Sequence, residues 1–206
     1  MAEDDLAMLD RWRAGDVAAG NALFHRHFES VYRFFERKTD GDIDDLVQET
    51  FLACVRGVGA FRRQSSFRTY LFAIARHTLF GYWRRRATVG VALDFEEISV
   101  ASLSTTAGTR LAQHQERAAL LEALRALPLE QQLLLEMFYW QELDRDQLAE
   151  VYEVAQATIG TRLFRARKAL QERLGAALSD ELRPPEGFEG FDAWAVSLQG
   201  SDTADS

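Results

Sequence analysis

The sequence predicts an all-α protein made of two small helical domains joined by a flexible linker. Apolar residues recur at helical spacing from Leu6 to about Ala87 and again from His114 to about Leu178, and no stretch alternates as a strand does. Between them, residues 88 to about 113 (TVGVALDFEEISVASLSTTAGTRLAQ) lose that period and turn rich in Ser, Thr, Ala and Gly, the composition of a tether. Only 3 prolines occur in 206 residues, which argues against a loop-dominated chain. The expected divisions are residues 1–88, a linker over 89–113, a second domain over 114–178 and an acidic tail over 179–206.

In the first domain the clearest helix runs through "SSFRTYLFAIARHTLFGYWRRR", residues 65–86. Ser65 or Ser66 is suited to cap its start. In the second, Pro128 opens a new helix after one that ends near Leu127. Asp144 with Gln147 three residues on has the form of a capping box, so a short helix is expected from about Arg145, with Leu148, Ala149 and Tyr152 inward. A break at 153–156 follows. Then Ile159, Leu163, Ala166 and Leu170 recur at helical spacing. Two helices with a tight turn between them form a helix-turn-helix pattern.

Charge is the next clue. The formal net charge is -8, yet residues 61–86 carry seven arginines and no carboxylate, whereas 179–206 carry seven carboxylates and one arginine. An acidic chain is a poor free-standing DNA binder, because non-specific affinity comes from neutralising phosphates. A local basic block can still contact nucleic acid once something else delivers it.

On helical projection, Phe67, Tyr70, Leu71, Ile74, Ala75, Thr78, Leu79 and Tyr82 share a core-type face. Thr69, Phe72, Arg76, Phe80 and Trp83 fall opposite. Rings and arginine on an outer face suit unpaired nucleotides, whose bases stack on rings and whose phosphates bind guanidinium. The plainer alternative packs Phe72 and Phe80 on a neighbouring helix and leaves Arg76 and Trp83 outside. The preceding loop offers Arg62, Arg63 and Gln64 at the mouth of that face, and Gln64 can read a base edge.

The run "DIDDLVQETFLACVRGVGAF" (42–61) followed by 65–86 resembles region 2 of bacterial RNA polymerase sigma factors, specifically the small extracytoplasmic-function (ECF) class. That resemblance implies core polymerase contact, at the β′ clamp, through Asp44, Asp45, Gln48 and Glu49. It implies capture of the minus-ten promoter element by Arg62, Arg63, Gln64, Ser65, Ser66, Tyr70, Arg76, His77, Trp83, Arg84 and Arg85. Tyr70 stands where Trp is frequent, and His77 and Gly81 where Asn and Asp are common. Without the resemblance, Asp44, Asp45 and Glu49 would read as a solvated helix face.

The outward residues of the second helix of the pair are Thr158, Thr161, Arg162, Arg165 and Lys168. Its N-terminal half is suited to a major groove, where arginine pairs with guanine and threonine reaches base edges. Arg165, Arg167 and Lys168 lie farther along, as expected of phosphate contacts. A plain amphipathic helix pair with a basic face is the alternative. The segment "ALRALPLEQQLLLEMFYWQELDRDQLAEVYEVAQATIGTRLFRARKAL" resembles ECF region 4, which reads the minus-thirty-five element and meets the β flap. It departs at Glu153 (usually Gly), Ala157 (often Gly) and Gly160 (often Lys or Arg). A glycine inside this helix hints at close backbone approach.

The expected function is therefore a sigma factor that binds core RNA polymerase, recognises promoter DNA and promotes melting. An anti-sigma protein is a further candidate partner. The runner-up is a stand-alone helix-turn-helix regulator of duplex DNA, which has no need of the 72–83 face. No enzyme, cofactor or metal is expected: the histidines (His25, His27, His77, His114) are scattered, and no phosphate-cradling glycine loop occurs. The single Cys54 allows no internal disulfide. No apolar run spans a bilayer and the N-terminus lacks a basic start, so a cytoplasmic setting is expected. The linker acids Asp94, Glu96 and Glu97 are read either as lying where nascent RNA would pass, as the family's linker does, or as incidental charge on a spacer. The tail, punctuated by Phe188, Phe191 and Trp194, is read as disordered or as a regulatory extension.

Overall fold

The computed structural model describes residues 4–36, 38–41, 43–61, 65–87, 92–103, 115–177 and the isolated positions 190 and 193. Within them the regular structure is helical, apart from one bridge pair between Ser99 and Pro128. The all-α expectation therefore holds. The chain divides into two compact units, residues 1–93 with 149–154, and residues 94–148 with 155–206. The expected tail, and the linker residues 88–91 and 104–114, lie outside the described residues apart from Gly190 and Ala193.

The first unit contains α1 (Asp5–Arg13), α2 (Val17–Phe35), α3 (Ile43–Gly57), a 3-10 turn (Val58–Ala60) and α4 (Phe67–Arg86). Helix α1 packs on α2, α2 on α3, and α4 on all three. Two N-caps fix where helices start. Asp16 accepts a hydrogen bond from the Ala19 amide at 3.1 Å, and Ser66 accepts one from the Thr69 amide at 3.0 Å. Each contributes about 1 kcal/mol, and the second settles the choice between Ser65 and Ser66. Aromatic edges bind the bundle. Trp12 meets Phe24 at 5.0 Å, Phe24 meets Phe51 at 4.7 Å, and Phe34 meets Phe72 at 5.7 Å between ring centroids. Helix α2 passes so near Trp12 that a Cβ on Gly20 would lie 2.7 Å from the indole, so glycine is required there.

The second unit contains α5 (Val100–Leu103), α6 (Gln115–Arg125), α7 (Leu129–Tyr139), α8 (Arg145–Tyr152) as far as Leu148, and α9 (Gln156–Ala177). Helix α9 packs on α6 and α7. Ile159, Leu163, Ala166 and Leu170 are all buried, as their spacing predicts. The capping box forms reciprocally: the Gln147 amide donates to Asp144 Oδ1 at 2.8 Å and the Asp144 amide to Gln147 Oε1 at 2.9 Å. In the turn after α8, Glu153 takes φ of 54°. That left-handed backbone explains why glycine is common at this place, since an L side chain there costs roughly 1–2 kcal/mol. A Cβ at Gly160 would meet nothing within 4 Å, so no close approach within the protein accounts for that glycine.

Part of the expected linker is packed. Phe95 and Val100 are buried, and the carbonyls of Phe95 and Ile98 accept the Glu130 and Leu129 amides at 3.0 and 2.8 Å. Residues 95–100 thus satisfy amides at the start of α7 that have no partner within the helix. Short apolar positions flanked by Ser and Glu carry too little periodicity to reveal this from sequence.

Two expectations follow. Glu153→Gly should raise the thermal unfolding midpoint by the equivalent of about 1 kcal/mol; an unchanged or lower midpoint would show the turn is not strained. The second concerns pH. His27 is buried with Nε2 2.6 Å from Asp5 Oδ2. Burial, the larger influence, pushes its pKa below the ordinary 6.5 against the pull of Asp5. The unfolded chain then binds the proton more readily, so His27 contributes stability above about pH 6.5 that is lost as pH falls through the depressed value. The midpoint should decline below that pH, and His27→Gln should flatten the decline. A midpoint that rises there would show a charged Asp5–His27 pair.

Candidate nucleic-acid interfaces

Helix α4 is where the outward residues of the first unit are decided. Phe67, Thr69, Leu71, Phe72, Ala75, Thr78, Leu79, Phe80, Tyr82 and Trp83 are all buried. The expectation that Phe72, Phe80 and Trp83 face outward is therefore corrected. The physical reason is that α4 is gripped by three helices, so a face opposite one core stripe meets a second. Phe72 fits edge-on against Phe34, and the Trp83 indole donates from Nε1 to the Lys38 carbonyl at 3.1 Å. Lys38 itself is buried. Its ammonium donates to the Phe34 carbonyl at the end of α2 and lies 5.0 Å from the Phe34 ring. A cation suits the negative end of that helix.

Apart from the arginines Arg68, Arg76 and Arg86, what remains open on α4 is a different arc. The exposed and half-buried residues Tyr70, Ala73, Ile74, His77, Gly81, Arg84 and Arg85 fall together within about 120° when each residue advances about 100°. This strip has Tyr70 at one end, two arginines at the other, and the small residues Ala73 and Gly81 on either side of His77. Tyr70, His77, Arg84 and Arg85 are four of the residues that the family resemblance assigns to promoter DNA. Ser65 and Ser66 are half-buried at its N-terminal end, while Arg62, Arg63 and Gln64 lie outside the described residues. Arg76 is half-buried beside the strip, its guanidinium 4.5 Å from the Phe80 ring centroid.

Neighbouring acids hold the basic end. Arg85 pairs with Glu49 at 3.0 Å and Arg86 with Asp40 at 3.1 Å. Tyr82 donates its hydroxyl to the same Asp40. That hydrogen bond, with Arg86 assisting, keeps the Asp40 carboxyl below the usual carboxylate range. At the other end Tyr70 stacks on Phe61 at 4.7 Å, and Gly57 leaves room for its hydroxyl. Arg13 of α1 ties this corner down: its Nε donates to the Val58 carbonyl at 3.1 Å, and a terminal nitrogen reaches the Phe61 carbonyl. Sequence reasoning misses Arg13 and Lys38, because no spacing marks a long side chain's bond to a carbonyl.

A groove of about 520 Å³ lies between α2 and α3. Phe24, Phe28, Phe51, Leu52 and Val55 line its apolar part, and Asp44, Asp45 and Gln48 its polar part. Phe28, Leu52 and Val55 are each 44–48% exposed, a cluster of apolar surface beside two exposed carboxylates. Glu49 faces the other way, toward Arg85.

In the second unit, α9 presents Thr158, Thr161, Arg165 and Lys168 to solvent and leaves Arg162 half-buried. Arg167 departs from expectation. It is buried, donates from Nε to the Tyr139 hydroxyl at 2.6 Å and lies over the Phe138 ring at 4.9 Å. It anchors α9 to α7 and is not placed to meet a phosphate. Arg162 pairs with Glu96 at 3.2 Å. Among the described residues no group of three or more His, Cys, Asp and Glu could hold a metal ion, and no helix is long and apolar enough to cross a membrane. Cys54 is buried, which pushes its thiol up to about 12.

Known proteins share this arrangement. The sigma-70 region 2 family model matches residues 23–89, and the sigma-70 region 4 model residues 117–170. The RNA polymerase sigma factor YlaC of Bacillus subtilis is 30% identical over 166 residues, 77% of this chain and 94% of its own. The ECF RNA polymerase sigma-E factor of Escherichia coli K12 is 26% identical over 179 residues, 82% of this chain and 94% of its own. Among solved structures, CnrH in complex with the cytosolic domain of CnrY aligns with TM-score 0.62 at 18% identity, over 85% of this chain and 100% of that one. The sigma factor RpoE of Bartonella quintana, in complex with the anti-sigma factor NepR, aligns with TM-score 0.59 at 20% identity, over 77% and 98%.

Because Trp83 is core, Trp83→Ala should lower unfolding stability of the first unit by about 3–5 kcal/mol. Denaturant titration followed by circular dichroism reads this directly. An unchanged midpoint would return Trp83 to the surface.

Proposed function

Because the chain belongs to the ECF class of sigma-70 RNA polymerase sigma factors, the non-enzymatic subunits that direct transcription initiation, we propose a division of that task among its surfaces. The first domain (1–88) docks core polymerase at the α2–α3 groove. The exposed Asp44, Asp45 and Gln48 meet the β′ clamp, carboxylates calling for basic partners there, and Phe28, Leu52 and Val55 supply the apolar centre. The open arc of α4 then holds the unpaired minus-ten strand. Tyr70 and His77 offer faces for bases, Ala73 and Gly81 let the strand lie close, and Arg84 and Arg85 take phosphates. Ser65 and Ser66, with Arg62, Arg63 and Gln64, frame its upstream end. Arg76 sits at the edge of the arc. Trp83 supports α4 from inside and makes no base contact.

The second domain (114–178) reads the minus-thirty-five duplex with Thr158, Thr161, Arg162 and Arg165 in the groove and Lys168 on phosphate, and it meets the β flap. The observation that carries this reading is the strip on α4: it is the side of a deeply buried helix left uncovered within its own unit, and it ends in arginines. An anti-sigma protein is a fitting regulator, since the Bartonella quintana sigma factor of the same fold is held by one. The setting that follows is the cytoplasm.

The test is reconstitution with core polymerase. Asp45→Arg should weaken core binding about tenfold or more by placing like charges together. His77→Ala with Arg84→Ala should cut minus-ten opening, read by permanganate reactivity of unpaired thymines, and leave minus-thirty-five duplex binding unchanged. Tight, specific promoter binding by the chain without core would favour a stand-alone duplex regulator instead.

A further inference from the structure

The acidic segment before α5 is built to present one carboxylate to α9. Asp94 closes a tight turn: its Oδ1 accepts the Glu96 amide at 2.9 Å, and its carbonyl accepts the Glu97 and Ile98 amides at 3.1 and 2.9 Å. Phe95 is buried, and its carbonyl and that of Ile98 are fixed on the first amides of α7. Glu96 therefore stands at the tip of an anchored loop. Its Oε1 accepts from Arg162 Nη2 at 3.2 Å, across 66 residues of sequence. Arg162 lies beside the exposed Thr161 and Arg165 on α9.

We propose that Glu96 is a masking residue, a carboxylate that the protein holds against its own DNA-reading arginine until duplex DNA displaces it. The inference rests on the reading of α9 as the duplex-reading helix. Random DNA offers Arg162 a phosphate, which exchanges one anion for another and gains little. A matching site offers paired acceptors on a base, a stronger and directional partner. In both cases the Glu96 pair must be given up first, so Glu96 weakens the grip of α9 on random and matching duplex alike, and only the stronger base partner recovers the cost. The pair is partly exposed, with side chains 34% and 66% accessible, so it biases binding by up to about fivefold and does not lock the helix. The anchoring of the loop matters here, because the carboxylate is held in place by backbone bonds and Phe95.

The experiment uses the full chain and fluorescence anisotropy over a series of salt concentrations. The probes are a random-sequence duplex and the promoter duplex that the reconstituted holoenzyme selects. Glu96→Gln should tighten random-duplex binding about two- to fivefold and steepen the slope of log affinity against log salt by about 0.9, one added phosphate contact. Promoter binding should tighten by a similar factor, because the same pair is given up in both complexes. Glu97→Gln removes the same charge from the same loop and should do neither. In an Arg162→Ala background Glu96→Gln should have no effect. Equal effects of Glu96→Gln and Glu97→Gln would reduce the observation to net charge and overturn the proposal. So would an unchanged salt slope, or weaker promoter binding, which would make Glu96 a support for Arg162. If Arg162→Ala by itself leaves promoter-duplex binding intact, the reading of α9 fails, a result separate from failure of the Glu96 inference.

Discussion

The packing of α4 against three other helices governs the first domain. A helix covered on that many sides must be apolar around most of its circumference, and α4 complies with Phe67, Leu71, Phe72, Leu79, Phe80 and Trp83. Most of the positions that escape burial then form one strip, and only arginines (Arg68, Arg76 and Arg86) reach out elsewhere on the helix. Sealing so many rings inside also stiffens α4, since Phe34, Lys38 and Asp40 all hold its inner surface. In our reading, a rigid strip with Ala73 and Gly81 beside His77 suits holding a flexible strand in one path.

Several basic groups in and beside both candidate interfaces share a second property. Arg85 is matched by Glu49, Arg86 by Asp40, Arg162 by Glu96 and Lys168 by Glu172. These are surface pairs, individually worth about 1 kcal/mol or less and weakened by salt. Their collective effect is to mute a cationic face in a chain of net charge -8. A subunit that acts only on the polymerase gains from such muting, because bulk DNA then competes poorly for it. In our reading the larger enzyme supplies the attraction, and the pairs open where promoter DNA offers something better.

Much of this is legible in the sequence, and the failures are instructive. Caps and boundaries are readable at Ser66, Pro128 and the Asp144–Gln147 box because each is a local hydrogen-bond or backbone rule. The α9 core stripe is readable because one face of that helix is buried and the other is open. Helix α4 defeats the same projection. Periodicity locates one apolar face, and a helix buried nearly all round has no single face to find, so projection turns Phe72, Phe80 and Trp83 outward. The motif resemblance places Tyr70, His77, Arg84 and Arg85 on the open side where projection does not. Charge alone makes Arg167 a phosphate contact, and its bond to Tyr139 cannot be anticipated from a residue 28 positions away. Glu96 and Arg162 each stand out singly, but their pairing depends on a tertiary turn that sequence spacing does not encode.

Which side of α4 touches unpaired DNA is open to direct measurement. A photo-crosslinking amino acid placed at His77 on the open strip, and separately at Glu29 on the outer face of α2, addresses this in holoenzyme bound to its promoter. We expect crosslinks from position 77 to the non-template minus-ten strand, dependent on opening, and none from position 29. Crosslinks absent from 77, or equally strong from both, would contradict the assignment of that strip as the strand-holding surface.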